Sequence, residues 1–214
     1  MSIVLTSHLH QLEISPDSTV RLNGLSWANY QEVLTGLGDN RITRLTYFEG
    51  IVEIRMPGYH HEMLNRLLEL IINILAVGFG QNIRSFGSTK FSREDLAQGV
   101  EPDSCFYIEK FAQVSNSTGE FLPPDLVVEV DIASSSKLRL PIYAAMEVPE
   151  IWVYRKQRLE ILVLATEEYQ GATISHAFPQ VGVNQINNWL EIGMKSGNLP
   201  VVLQVQEFCQ STEN

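Results

Sequence analysis

Apolar residues recur at helical spacing in three stretches of the chain. Residues 61–77 carry the strongest pattern, with six leucine and isoleucine residues that would share one face of a helix. Residues 27–37, which follow the good N-capping residue Ser26, and residues 184–194 carry shorter versions of this pattern. We therefore predict helices at these three positions. The pattern over residues 199–208 is ambiguous.

Short apolar runs bounded by turn residues predict several strands. Residues 43–55 form a predicted hairpin with its turn at or near Gly50, and residues 148–164 form a second hairpin late in the chain. A further pair of strands is predicted within residues 82–91, and one more strand near residues 173–178.

Two other apolar strands carry acids that an ordinary core strand would not contain. Asp103 lies in the run of residues 100–108, and Glu129 and Asp131 lie in the run of residues 126–132. Side chains alternate across a strand, so Glu129 and Asp131 share a face. A carboxylate buried among valines is costly unless a cation neutralises it. That cation is either a divalent metal such as Mg²⁺ or Mn²⁺, which prefers oxygen ligands, or a core arginine.

More polar residues lie next to predicted helix starts. His61 and Glu62 begin the long helix, where they either lean toward a site at the ends of neighbouring strands or simply bond to the helix end and favour its dipole. The serines at 134–136 supply caps for another helix, and Lys137 and Arg139 fall at its start, just beyond the strand that carries Glu129.

The composition is that of a globular protein of one domain. The chain has 214 residues, 44% of them hydrophobic and 19% charged, and no apolar run reaches the ~18 residues of a membrane span. The lack of a signal-peptide pattern and the two cysteines, Cys105 and Cys209, predict a cytoplasmic protein with no membrane association. The net charge of −10 argues against a general nucleic-acid coat protein. It does not exclude a metal-dependent phosphodiesterase, whose acidic site binds its cation first.

Five short motifs together resemble a known family. They are Tyr47-Phe48-Glu49-Gly50 with Glu53, His61-Glu62, Glu101-Pro102-Asp103, Leu126-Val127-Val128-Glu129-Val130, and Tyr143 with Val148-Pro149-Glu150-Ile151-Trp152. Each motif alone is weak. Their order resembles the PD-(D/E)xK nuclease superfamily and, more narrowly, the Uma-group putative restriction endonuclease family, over about residues 25–165.

The resemblance implies an α/β fold with a restriction-endonuclease-like core. In such a core a mixed central β-sheet is flanked by helices, and here an additional antiparallel hairpin is expected. The chain is divided accordingly into an N-terminal arm at residues 1–24, a nuclease-like domain at residues 25–195 and a C-terminal extension at residues 196–214.

The resemblance also implies a metal site. Asp103, Glu129 and the carbonyl of Val130 would hold Mg²⁺ or Mn²⁺, Glu62 would support the site, and His61 falls on a recurrent histidine of the family.

The third motif departs from the superfamily pattern. The lysine expected two residues after the strand glutamate is replaced by Asp131. In the Uma group the basic residue often lies four residues before the tyrosine, which here is Arg139 before Tyr143, with Lys137 close by. Arginine stays protonated and cannot act as a base, although it can hold a phosphate or stabilise charge. Lys137 could do either.

The predicted function is metal-dependent endonuclease activity, in which a Mg²⁺-activated water hydrolyses a DNA phosphodiester bond. The alternative is a catalytically degenerate binding or regulatory protein with a nuclease fold, which Asp131 and the acidic net charge favour.

A homodimer is predicted as well. The late hairpin has more apolar surface than a two-stranded edge can easily bury, so part of it should lie at a subunit interface. The residues concerned are Trp152, Val153, Tyr154, Ile161 and Leu162.

Overall fold

The computed structural model describes residues 13–38, 41–115, 122–132 and 135–212. The strands in these residues are β1 (Ser18–Asn23), β2 (Arg44–Phe48), β3 (Ile51–Met56), β4 (Arg84–Ser85), β5 (Phe91–Arg93), β6 (Gln98–Val100), β7 (Ser104–Tyr107), β8 (Leu126–Asp131), β9 (Glu150–Arg155), β10 (Arg158–Ala165) and β11 (Glu168–Ala172). The helices are α1 (Trp27–Leu37), α2 (Tyr59–Gly78), α3 (Phe111–Ser115), α4 (Leu140–Ala145), α5 (Val183–Ser196) and α6 (Asn198–Thr212), with a short 3-10 helix at Ser136–Leu138.

The strands form two sheets. The first has the order β1-β3-β2-β6-β5, and every pairing in it is antiparallel. Its β2–β3 hairpin turns at Glu49 and Gly50, whose φ angles of 48° and 80° suit a two-residue turn between twisted strands. The hairpin predicted from the sequence is therefore confirmed.

The second sheet is mixed and has the order β11-β10-β9-β8-β7-β4. Strands β8 and β9 run parallel, and the short 3-10 helix and α4 lie in the connection between them. The other pairings are antiparallel, including the β9–β10 hairpin that the sequence predicted. A mixed sheet flanked by helices, with an antiparallel hairpin at one side, confirms the predicted fold class.

The chain crosses from the first sheet to the second between β6 and β7. Glu101 anchors the first sheet, because its Oε2 accepts a hydrogen bond from the Leu45 amide at 2.8 Å. Strand β7 then pairs with β8 in the register Ser104 to Val128, which places Asp103 beside Glu129. The crossing between the two sheets thus places Asp103 next to Glu129, the acid of the central strand β8.

The helices bury the apolar faces that their sequence patterns predicted. Helix α2 packs with α5 and α6 over one face of the second sheet, in a core that includes Leu68, Trp152 and Trp189. Helix α4 packs on the other face through Ile142 and Tyr143. Helix α1 covers the first sheet. The ambiguous residues 199–208 lie within helix α6.

Three strand predictions were wrong. The run of residues 100–108 is not one strand, because β6 ends at Val100 in the first sheet and β7 begins at Ser104 in the second, so Asp103 lies in the crossing between them. The strand expected near residues 173–178 lies earlier, at β11, whose alternating polar residues face solvent at the sheet edge and so gave no apolar signal. Residues 82–91 do not form a strand pair. They contribute β4 to the second sheet and β5 to the first, because the chain leaves one sheet for the other between them.

The apolar residues that suggested a homodimer are mostly buried within the protein. Strand β9 lies inside the second sheet between β8 and β10, and Trp152, Val153 and Ile161 are at most 1% exposed. Leu159 and Ile161 of β10 pack in the same core as α5. The hairpin is therefore not a two-stranded edge, and that premise of the dimer prediction was wrong.

Both predicted flanking segments contribute to the fold. Strand β1 pairs with β3, and α6 packs on α2. Residues 1–12 of the predicted arm lie outside the described residues, and the boundaries at 25 and 195 stay predictions. Among the described helices, none is both long and apolar enough to cross a membrane.

Candidate active site

Four carboxylates and two guanidinium groups meet where the two sheets join. Strand β3 supplies one acid and one arginine, the crossing segment supplies an acid, β8 supplies two acids, and the start of α4 supplies the second arginine. All six side chains are at most 5% exposed. We call them the acid cluster: Glu53, Arg55, Asp103, Glu129, Asp131 and Arg139.

Asp103 is held by three neighbouring donors. Its Oδ2 accepts hydrogen bonds from the Val130 amide at 2.8 Å and from His61 Nε2 at 2.9 Å. Its Oδ1 lies 3.3 Å from Arg55 Nη1. Burial alone would raise the pKa of this carboxyl, but Arg55 and His61 outweigh burial and hold the pKa well below its usual range. Asp103 is therefore an anion with fixed orientation.

Glu129 lies at the centre of β8 and is fully buried. Its Oε1 accepts hydrogen bonds from Arg139 Nε at 2.9 Å and from the Tyr143 hydroxyl at 2.5 Å, and its Oε2 lies 3.4 Å from Arg55 Nη1. Burial, aided by the nearby Asp103 charge, raises the pKa of Glu129 to about 7 despite the arginines. Asp103 and Glu129 thus form a pair in which one acid is ionised and the other titrates near neutral pH.

Arg139 binds three acids at once and is fully buried. Besides Glu129, its Nη1 donates to Glu53 at 3.0 Å and its Nη2 donates to Asp131 at 2.9 Å. Burial opposes its charge, but the acids outweigh burial and raise its pKa further. Asp131 in turn accepts hydrogen bonds from the Ser136 amide and hydroxyl at 2.7 and 2.8 Å. Asp131 is therefore a counterion of Arg139.

Arg55 lies between the two acids predicted to bind metal. Its Nη1 contacts Asp103 Oδ1 and Glu129 Oε2, and its Nη2 donates to the Glu101 carbonyl at 2.7 Å. Two carboxylate oxygens, one from the crossing segment and one from β8, thus share one cationic group. A small cavity of about 20 Å³ lies beside Arg55. His61, Val130 and the start of β1 also line it.

The structure brings five of the predicted site residues together, namely His61, Asp103, Glu129, Val130 and Arg139. Glu62 lies apart on the outer face of α2, where it pairs with Arg66 at 2.7 Å. Lys137 is exposed beside the cluster. Among the described residues, no group of three or more His, Cys, Asp and Glu side chains is arranged to hold a metal ion.

Sequence reasoning missed Arg55 and gave no role to Glu53 and Tyr143. Glu53 and Arg55 are two residues apart in β3 and therefore share one face of the strand, where they interrupt a run of buried apolar residues. This is the signal that singled out Glu129, a charged side chain within an apolar strand, and it could have found both. Tyr143 lies one turn after Arg139 on α4, with its amide bonded to the Arg139 carbonyl at 3.0 Å, as the family spacing predicted.

Two sheets that meet at buried acids of adjoining strands, with helices on their outer faces, define an α/β protein with a nuclease-like fold. More narrowly, the chain belongs to the Uma2 family, described as putative restriction endonuclease, whose family model matches residues 27–195. A crystal structure of a putative nuclease belonging to DUF820, from Anabaena variabilis, has the same fold with a TM-score of 0.56. It is 14% identical in sequence, and the alignment covers 78% of this chain and 99% of that one. No curated protein matches the chain.

Proposed function

We propose that this protein is a metal-dependent endonuclease that hydrolyses DNA phosphodiester bonds at the acid cluster. The observation that supports it best is the convergence of Asp103 Oδ1 and Glu129 Oε2 on one cationic group, within 3.4 Å. Membership of a family of restriction-endonuclease-like proteins supports a nucleic-acid substrate.

The donor set suits Mg²⁺ or Mn²⁺ if Arg55 moves aside. Asp103, Glu129 and the Val130 carbonyl would hold the ion, whose charge would replace that of Arg55 beside the two carboxylates. When bound, the ion would supply an activated water and stabilise the charge that develops on the phosphate.

The protein side chains would divide the remaining tasks. His61 fixes Asp103, while Arg139 and Tyr143 fix Glu129. Because Arg139 is buried and bonded to three acids, it cannot also reach a phosphate. We therefore assign the phosphate contact to the exposed Lys137 and the positioning of the acids to Arg139. The supporting role of Glu62 stays a prediction.

Incubation of the purified protein with plasmid and linear DNA, with Mg²⁺ or Mn²⁺ added, tests the proposal. Asp103→Asn should remove cleavage, because the amide keeps the size of the side chain but loses its charge. Cleavage that requires no divalent ion, or that survives Asp103→Asn, would contradict the mechanism. No cleavage of either DNA by the wild type would contradict the function.

A second candidate function is nucleic-acid or partner binding without turnover. The position of Arg55 favours this candidate, because a permanent guanidinium between Asp103 and Glu129 would neutralise the two carboxylates in place of a metal ion. Titration calorimetry with Mn²⁺ separates the candidates. A protein that binds no Mn²⁺ and cuts no DNA belongs to the second class, whereas binding that Glu129→Gln abolishes supports the enzyme.

The homodimer and the cytoplasmic location stay predictions from the sequence. Light scattering at micromolar concentration tests the first. A mass near 24.1 kDa would remove it.

A further inference from the structure

A groove of about 940 Å³ opens next to the acid cluster. Asp131 of the cluster and the following residue, Ile132, belong to its lining. Its other walls are the tip of the β9–β10 hairpin, the start of α2 and the last turns of α5. The groove therefore adjoins the acid cluster at Asp131.

Cations outnumber unbalanced acids in this groove. Lys156, Arg158 and Lys195 line it and are exposed, although the whole protein has a net charge of −10. Among the described residues, the two carboxylates in the lining are already paired, Asp131 with Arg139 at 2.9 Å and Glu191 with Lys195 at 2.6 Å, which leaves Lys156 and Arg158 as the excess positive charge. The charge of the groove thus suits an anionic ligand, although the net charge of the whole protein is negative.

The hairpin tip presents its side chains at a conformational cost. Lys156 and Gln157 have φ angles of 51° and 62°, and they form the two-residue turn between β9 and β10. Such a turn strongly favours Asn and Gly, because other residues are strained in the left-handed region. Two long polar side chains therefore lie at positions where the turn geometry alone would favour Asn and Gly.

Partly exposed apolar and aromatic side chains complete the lining. Ile132 and Met194 are 43% and 40% exposed, and Tyr154 is partly buried. Phosphates need cations, whereas sugars and bases offer apolar faces that pack on such residues. Charge and apolar surface together fit a nucleic-acid strand better than a small inorganic anion.

We infer that this groove binds the nucleic-acid strand that leads to the acid cluster, with Lys156 and Arg158 contacting its phosphates. Gln157 and the apolar lining would contact sugars and bases. This inference rests on the proposed function, which it extends from the reacting phosphate to the flanking strand.

The decisive variant replaces the hairpin tip, Lys156→Asn with Gln157→Gly. Because Asn-Gly suits the turn, the thermal midpoint should rise. Fluorescence anisotropy with labelled single-stranded and duplex DNA in EDTA should show weaker binding, by about tenfold at about 50 mM salt for one lost phosphate contact. The slope of log K against log salt should become shallower by roughly 0.9 for duplex and 0.7 for single-stranded DNA.

Two control variants separate the effects of turn geometry and charge. Thr166→Gly changes another residue with positive φ, 63°, in the β10–β11 turn outside the groove, and should raise the midpoint without changing binding. Lys90→Asn removes one exposed charge from the first-sheet side and should change binding much less than the hairpin variant.

The possible outcomes distinguish this inference from the proposed function. Weaker binding by the hairpin variant, with a shallower salt slope, supports the groove even if no DNA is cut. Unchanged binding and slope in that variant would overturn the inference, and would leave the proposed function standing if cleavage is also unchanged. A wild-type protein that binds neither form of DNA would overturn it as well. The form bound more tightly identifies the strandedness of the ligand.

Discussion

Arg139 supplies a buried positive charge that stabilises the acid cluster. It pairs with Glu53, Glu129 and Asp131 while fully buried. Arg139→Ala would leave these acids without a cation, so we expect the free energy of unfolding to fall by about 3–5 kcal/mol. Urea denaturation measures this loss. Lys137→Ala, two residues earlier on the surface, is the matched control and should stay within about 0.5 kcal/mol of the wild type.

Arg55 should compete with a divalent ion for the same two carboxylates. Arg55→Gln keeps a hydrogen-bond donor but removes the charge, so we expect Mn²⁺ to bind at least about fivefold more tightly, because a nearby like charge disfavours a cation by about 1 kcal/mol or more. Calorimetry measures the affinity, with Arg66→Gln on the outer face of α2 as control. Weaker Mn²⁺ binding in Arg55→Gln would mean that Arg55 supports the metal site.

The raised pKa of Glu129 should appear in the stability of the protein. The folded protein holds this proton up to about pH 7, whereas the unfolded chain releases it near the ordinary value of 4.5. The folded state therefore binds more protons in this window, and the contribution of Glu129 makes the free energy of unfolding fall as pH rises from 4.5 to about 7.

Glu129→Gln should remove that part of the pH dependence. Urea denaturation at several pH values between 4.5 and 8 compares the variant with the wild type, and Glu167→Gln, an exposed acid at the β10–β11 turn, serves as control. A variant curve parallel to that of the wild type would show that another group holds the proton. The low pKa of Asp103 acts in the opposite sense, but in a more acidic window.

Asp103 and Glu129 could be predicted from the sequence because one directly precedes an apolar strand and the other lies within one, and the structure places them side by side. Arg55 interrupts the apolar pattern of β3 in the same way, but its pairing with these two acids could not be predicted. Arg55 reaches them only because β3 belongs to a separate sheet that joins the second sheet at residues 101–103, and that junction leaves no local pattern.

At the scale of whole elements, amphipathic helices were predicted more accurately than edge strands. Helix α1 has the predicted bounds, and the bounds of α5 differ from the predicted ones by at most two residues. Each helix has a single apolar stripe that faces the core on its own side of the protein. Strand β11 pairs on only one side and is largely exposed, so its composition is polar. Strands β4 and β5 are only two and three residues long, too short for any periodicity.

The packing of α1 on the first sheet depends on a glycine in β6. A Cβ atom added to Gly99 would lie 2.4–2.8 Å from the ring and hydroxyl of the buried Tyr30. Gly99→Ala should therefore destabilise the protein by about 1–3 kcal/mol through overpacking. Chemical denaturation tests this, with Gly171→Ala in β11 as control, because its added Cβ would meet nothing within 4 Å. Equal effects of the two substitutions would contradict the packing argument.

At the scale of the whole molecule, the acid cluster joins parts of the chain that are far apart in sequence. Arg139 and Glu53 are 86 residues apart, and Arg55 and Glu129 are 74 residues apart. The first sheet contributes Glu53 and Arg55, and the second contributes Glu129 and Asp131. The cluster is therefore complete only when both sheets are formed and docked.

This sequence separation has a consequence for the order of folding. Contacts that close long loops are entropically costly to make early, and buried charges gain nothing until all their partners are in place. The cluster should thus form after the main transition state, so that Arg139→Ala accelerates unfolding while the refolding rate stays close to that of the wild type. Stopped-flow measurements in urea can separate the two rates. A slower refolding rate would instead place the junction of the sheets in the folding nucleus.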